Sequence, residues 1–118
     1  MKRLLVLATG GTIAGAGADA MQLNHYEAGA LGVDALVNAV PAVQSLAQLQ
    51  LEQIANVDSA DLQFAHWRRL VERIREAFAD DPGLAGVVIT HGTNTLAETA
   101  WLLQLSIDDP RPVVLGGA

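Results

Sequence analysis

The chain has 118 residues, half of them hydrophobic and 17% charged, with a formal net charge of −6 and no cysteine. That balance excludes a disordered chain, disulfides and thiolate metal sites. It also makes nucleic acid a poor partner, because phosphates require Lys and Arg in number.

Apolar residues are mainly Val, Ile, Leu and Ala, which suits parallel strands buried on both faces. Met1-Lys2-Arg3 and the apolar run to Ala8 resemble the start of a secretory signal, but the run passes straight into Thr9-Gly10-Gly11-Thr12. It therefore reads as strand then loop. No apolar stretch approaches the ~18 residues that a membrane helix needs. A cytoplasmic protein without a membrane partner is expected.

In chain order, Leu4 to Ala8 reads as a buried strand. Thr9 to Gly32 is rich in Gly and Ala and lacks a period, so it reads as a long loop of the kind that is often functional. Gly32 to Val40 has helical spacing in Val33, Leu36, Val37 and Val40, and Pro41 ends it. Leu49 to Val57 begins with alternation and reads as a strand. Ser59 or Asp61 is the candidate cap of the next helix. Phe64, Trp67, Leu70, Val71, Ile74 and Phe78 mark that helix as amphipathic, and Asp80-Asp81-Pro82-Gly83 breaks it. Arg68, Arg69, Arg73 and Arg75 lie among acids on it and read as a solvated face.

Ala85 to Thr90 is a second β-branched strand, followed by a turn at His91-Gly92-Thr93-Asn94. Thr95-x-x-Glu98 has the form of a capping box, opening a helix through Leu105. Pro110 and Pro112 precede a last strand, Val113 to Gly116. The order β-α-β-α-β-α-β implies right-handed crossovers and a mainly parallel sheet. The expected fold is a three-layer α/β/α, Rossmann-like sandwich. A domain of this kind usually continues to a covering helix after such a strand, so truncation is expected from the pattern.

Ligands of open α/β sheets bind beyond the carboxyl ends of the strands. Two loops leave strand ends there with glycine and threonine: Thr9-Gly10-Gly11-Thr12-Ile13-Ala14-Gly15 and Thr90-His91-Gly92-Thr93-Asn94-Thr95. Glycines allow close backbone approach, and the second loop sits at a helix N-terminus. Phosphate motifs fit badly: Gly10 and Gly15 have P-loop spacing, but Ala16 stands where Lys is required, and GxGxxG is unmatched. A threonine hydroxyl serves as a nucleophile only when a base or positive group activates it. By residue type alone these threonines read as turn or cap residues on a ligand edge. His91, after a buried strand, reads as a hydrogen-bonded structural histidine.

TGGTIAG after the first strand and ITHGTNTLAETA after the third resemble the paired signatures of the L-asparaginases and glutaminase-asparaginases. YEAGALGVDALVNAVP and NVDSADL between them are similar to that family too, so the resemblance runs along the whole chain. It implies a hydrolase of the side-chain amide of asparagine, possibly glutamine, in a homotetramer with no metal or organic cofactor. It implies Thr12 as nucleophile, Tyr26 as the mobile-loop tyrosine that helps activate it, and Thr93 as the second catalytic threonine. Ser59 matches a serine that holds the substrate α-carboxylate. Gly11 and Gly92 flank the threonines, where free backbone N–H groups can meet substrate and a developing oxyanion.

The chain departs from the family in three ways. Asn94 stands where the family has an aspartate for the substrate α-ammonium; losing that charge costs about tenfold in binding. Ala60 replaces a polar substrate contact. The lysine that pairs with the second threonine lies beyond Ala118 in the family, as does the smaller C-terminal domain; Lys2 is the only lysine present. Four readings remain open: an N-terminal portion with little turnover alone, a non-catalytic amino-acid-binding module, a fragment stable only through oligomerisation or a partner, and, ranked lower, a glutaminase or amidotransferase relative.

Overall fold

A computed structural model describes residues 1–10, 38, 40–57 and 59–117. Its strands are β1 (Arg3–Ala8), β2 (Gln48–Gln53), β3 (Leu84–His91) and β4 (Val113–Gly117). Its helices are α1 (Val43–Leu46), α2 (Phe64–Asp80) and α3 (Leu96–Ser106), with a 3₁₀ turn at Ser59–Asp61. The four strands form one parallel sheet in the order β2-β1-β3-β4. The parallel α/β architecture is the one the alternating pattern predicts.

β1 buries both faces and β3 buries one with the other half-buried, in keeping with their apolar runs. On one face Leu5 and Leu7 of β1 and Val87 and Ile89 of β3 meet Leu70, Val71, Ile74, Ala77 and Phe78 of α2 and Leu103 of α3. The three- and four-residue spacing of those α2 residues makes a stripe wide enough to cover both strands. Each fully buried Leu, Ile or Val contributes about 1.5–3 kcal/mol. On the other face Val6 and Ala8 pack with Leu49, Leu51 and Val88. β2 shows why its sequence alternates: Leu49 and Leu51 join that second face, while Gln50 and Glu52 turn toward the α2 side. Glu52 is matched there by Arg73 of α2, with two hydrogen bonds of 2.6 and 2.7 Å.

Arg111 ties the far end of α2 to the sheet. Its guanidinium lies 4.2 Å over the Phe78 ring and donates to the carbonyls of Phe78 (2.7 Å), Asp81 (2.7 Å) and Leu84 (3.1 Å). Those carbonyls lie at the negative end of the helix and in the turn after it, where a cation is favoured. Asp109 orients the guanidinium from the other side with bonds of 2.9 Å. Those bonds hold the Asp109 carboxyl down at about 2.

Several expected boundaries are corrected. The helix expected over 32–40 lies outside the described residues except Asn38 and Val40, and a short helix, Val43–Leu46, follows Pro41. β2 ends at Gln53 rather than Val57, because the N–H groups of Ile54 and Ala55 both turn to the Ala8 carbonyl. Neither Ser59 nor Asp61 caps α2. Gln63 does, its side chain accepting the His66 N–H while His66 Nδ1 accepts the Gln63 N–H at 3.0 Å. Thr95 precedes α3 but makes no side-chain cap bond; its hydroxyl donates to the Ser59 carbonyl instead. His91 and Gly117 belong to strands, each one residue further than the apolar runs suggest.

Candidate active site

The strand order creates the site. From β1 the chain goes to β2 on one side, and from β3 it goes to β4 on the other. The chain order thus reverses between β1 and β3, and in open α/β sheets such a switch point at the carboxyl edge is where ligands bind. Both threonine loops leave from this switch point.

Three backbone segments are tied together there. The Thr9 N–H and hydroxyl both donate to the Thr90 carbonyl, at 3.1 and 2.8 Å, joining the ends of β1 and β3. The Val57 N–H donates to the Thr9 carbonyl at 3.1 Å, so the segment after β2 folds back over β1. Gly10 lies under it with φ of 105°, a conformation that L side chains rarely adopt. A methyl group there would also sit 2.6 Å from the Val57 backbone nitrogen and oxygen. The same segment then reaches the β3 loop at Ser59.

Ser59 is 2% exposed. Its Oγ accepts the Asn94 N–H at 2.9 Å, and its carbonyl accepts the Thr95 hydroxyl at 2.8 Å. Ser59 is thus a strut between two loops, which explains why it is unavailable to cap α2. Its hydroxyl hydrogen has no acceptor among the described residues. Gly92 is buried against it: a methyl group there would meet Ser59 Oγ at 2.8 Å and Cβ at 3.0 Å. Thr93 and Asn94 are exposed at the tip of the turn, and no hydrogen bond from Thr93 occurs among the described residues. The end of β4 lies alongside, with a Gly117 methyl position 3.4 Å from Thr93 Cγ2.

Beneath the turn, His91 is fully buried, as expected of a structural histidine. Its Nδ1 bonds the Gly92 carbonyl and its Nε2 lies 2.8 Å from the Thr99 hydroxyl. Two buried polar atoms lack partners among the described residues: Gln53 Oε1 and Thr90 Oγ1. Both residues pair with Ala8, so they flank it in one row across the sheet, just below the edge.

Of the residues implied by the resemblance, the structure brings Ser59, Gly92, Thr93 and Asn94 into one cluster. Ala60 is exposed beside it. Gly11, Thr12 and Tyr26 lie outside the described residues. Sequence reasoning missed Thr9, Thr99 and Trp67. Thr99 was detectable, since it shares a helical stripe with Leu96 and Leu103; Thr9 reads as one more turn threonine. Among the described residues no group of His, Asp or Glu is arranged to hold a metal ion, and no helix is long and apolar enough to cross a membrane.

Residues 3–118 match the family described as Asparaginase, N-terminal. The chain is 41% identical over all of its 118 residues to L-asparaginase 2 of Bacillus subtilis (strain 168), covering 31% of that protein. It is 42% identical to L-asparaginase 2 of Escherichia coli (strain K12), again over the whole chain and covering 33% of that protein. The crystal structure of a probable cytoplasmic L-asparaginase from Campylobacter jejuni superposes with a TM-score of 0.83 at 44% identity, over 100% of this chain and 33% of that one. The chain spans about a third of the length of these relatives.

Proposed function

Since the chain belongs to the asparaginase family, matching its N-terminal domain, we propose that it supplies the threonine-bearing half of an L-asparagine amidohydrolase, converting asparagine and water to aspartate and ammonia. The observation that carries this reading is the cross-tied edge at the switch point, where the segments of Gly10, Ser59 and the Gly92-Thr93-Asn94 turn are joined by hydrogen bonds and close packing. Thr12, two residues past Gly10, is the proposed nucleophile, with Tyr26 helping to activate it. Thr93 is the second catalytic threonine.

Ser59 can donate its remaining hydrogen to a substrate carboxylate while accepting from Asn94. Asn94 offers a neutral acceptor to the α-ammonium. Gly11 and Gly92 are the glycines proposed to meet the substrate, since glycine lets a backbone N–H approach a developing oxyanion closely. Asparagine is the preferred substrate; glutamine differs by one methylene, a small energetic difference. The working form is a homo-oligomer in the cytoplasm, the latter in keeping with the description of the Campylobacter relative.

Activation of Thr93 needs a positive group or a base. Lys2 precedes β1, a strand's length from the switch point, and its carbonyl pairs with the Gln48 N–H at the opposite edge. The chain spans about a third of the length of its relatives, and little or no turnover is expected of these 118 residues alone.

The test is ammonia release from asparagine by the whole protein that carries this chain. Thr12→Ala and Thr93→Val are each expected to lower kcat by about 100-fold or more. Wild-type turnover in either variant, or robust turnover by the 118-residue chain, would overturn the corresponding part of the proposal.

A further inference from the structure

A buried hydrogen-bonded chain runs from α2 through α3 to the turn that bears Thr93. Trp67 Nε1 lies 2.7 Å from Thr99 Oγ1, Thr99 Oγ1 lies 2.8 Å from His91 Nε2, and His91 Nδ1 bonds the Gly92 carbonyl. Thr99 and His91 are both fully buried.

Only one direction of donation satisfies every atom. The Gly92 carbonyl can only accept, so His91 Nδ1 carries a hydrogen and donates it. The Trp67 indole N–H can only donate, so Thr99 Oγ accepts it. The single hydroxyl hydrogen of Thr99 then goes to His91 Nε2. The opposite direction in the middle link would put hydrogens on both ring nitrogens. It would also leave the Thr99 hydroxyl hydrogen buried without an acceptor, which is costly.

The relay has a geometric consequence. His91 holds the Gly92 carbonyl toward the core. Across a trans peptide the next N–H points the opposite way, and no cis peptide occurs among the described residues. The Thr93 N–H is therefore turned away from the buried ring, with Thr93 exposed at the tip.

We infer that Thr99 is a positioning residue: through the Nδ1–H form of His91 it fixes the Gly92–Thr93 peptide plane, and with it the aim of Thr93 and its N–H at the substrate. Trp67 fixes the direction of the relay from α2. Thr99 touches no reacting atom; it acts two hydrogen bonds away. Its catalytic consequence rests on the amidohydrolase reading, whereas the ring tautomer and peptide orientation do not.

The experiment uses the whole protein that carries this chain, with two readouts. Two-bond ¹H–¹⁵N spectra report the tautomer of His91, one of three histidines in the sequence. Ammonia release from asparagine gives kcat and KM separately. Thr99→Val keeps the shape of the side chain and removes its hydroxyl. It removes the donor to His91 Nε2 while the Gly92 carbonyl still holds the hydrogen on Nδ1, so it is expected to shift the Nε2 resonance and lower kcat about tenfold with KM changed less than about twofold. Thr99→Ser restores the hydroxyl and is expected to recover both.

A wild-type His91 in the Nε2–H form, an Nε2 resonance unchanged in Thr99→Val, or a serine variant as impaired as the valine one, overturns the inference. Should Thr99→Val fail to fold, His91→Asn and His91→Gln decide. Asparagine keeps a donor near the Nδ1 position and glutamine keeps only the reach toward Thr99, so His91→Asn must retain the higher kcat. The reverse order overturns the inference. If the wild-type protein releases no ammonia, the amidohydrolase reading fails while the tautomer spectra still decide the relay.

Discussion

Gly92 is packed so closely on Ser59 that a side chain at position 92 has no room. Adding one methyl group in Gly92→Ala forces a contact of 2.8 Å on a buried hydroxyl. Overpacking of this kind costs about 1–3 kcal/mol, and here it would also push Ser59 off the Asn94 N–H. Thermal melts of the variant should show the loss of stability, and asparagine turnover should fall with it. Asn94→Asp is the complementary change, expected to lower KM for asparagine about tenfold by restoring a charge for the α-ammonium; steady-state kinetics checks it. At this scale the turn of Gly92, Thr93 and Asn94 was legible, because a glycine-threonine turn after a buried strand is a local pattern, whereas Ser59 entered as a candidate only through the family resemblance. The sequence could not reveal that Ser59 ties two loops together. That role depends on a contact between positions 35 residues apart.

Between elements, the paired Glu52 and Arg73 hold β2 to α2. The Arg73 guanidinium keeps the Glu52 carboxyl below its ordinary range, and Glu52 in turn raises Arg73. Both side chains are about three-quarters buried, at 29% and 23% exposure, so the pair is less screened than a surface one. Glu52→Gln should cost about 1 kcal/mol in denaturant unfolding at neutral pH. A carboxyl whose folded value is depressed stabilises fully above its unfolded value and loses that stabilisation as pH falls through the folded value. The gap between wild type and E52Q is therefore present at neutral pH and closes on acidification below the ordinary carboxylate range. Asp109 behaves the same way further down, its contribution persisting until pH falls through about 2. The amphipathic α2 was fully legible, since five buried residues repeat at helical spacing. The caps were not: Gln63 displaced Ser59 and Asp61, and Thr95 lost its box, because tertiary hydrogen bonds outcompeted local ones.

For the molecule as a whole, the layer between the sheet and α2 carries the stability. Ile89 is fully buried between the sheet and the helices. Ile89→Ala should lower the unfolding free energy by about 2–5 kcal/mol, measurable by denaturant titration. A loss under 1 kcal/mol would mean that this layer is looser than its burial indicates. The parallel α/β class was legible because strands and helices alternate along the chain. The strand order was not, since no short-range pattern says whether β3 lies beside β1 or β2. Yet that order decides which strand ends the two threonine loops leave side by side.

The position of β1 has a consequence for how the protein is made. β1 emerges first during synthesis, but its neighbours in the sheet arrive much later: Thr9 and Thr90, which close the two central strands together, are 81 positions apart. Pairing at such separation is slow, because loop-closure entropy is lost before the contacts form. Until β3 has left the ribosome, β1 remains an apolar segment without its central partner. Such segments are prone to aggregate. Yield and solubility on expression should therefore respond most to changes in β3, the strand whose arrival ends that exposure.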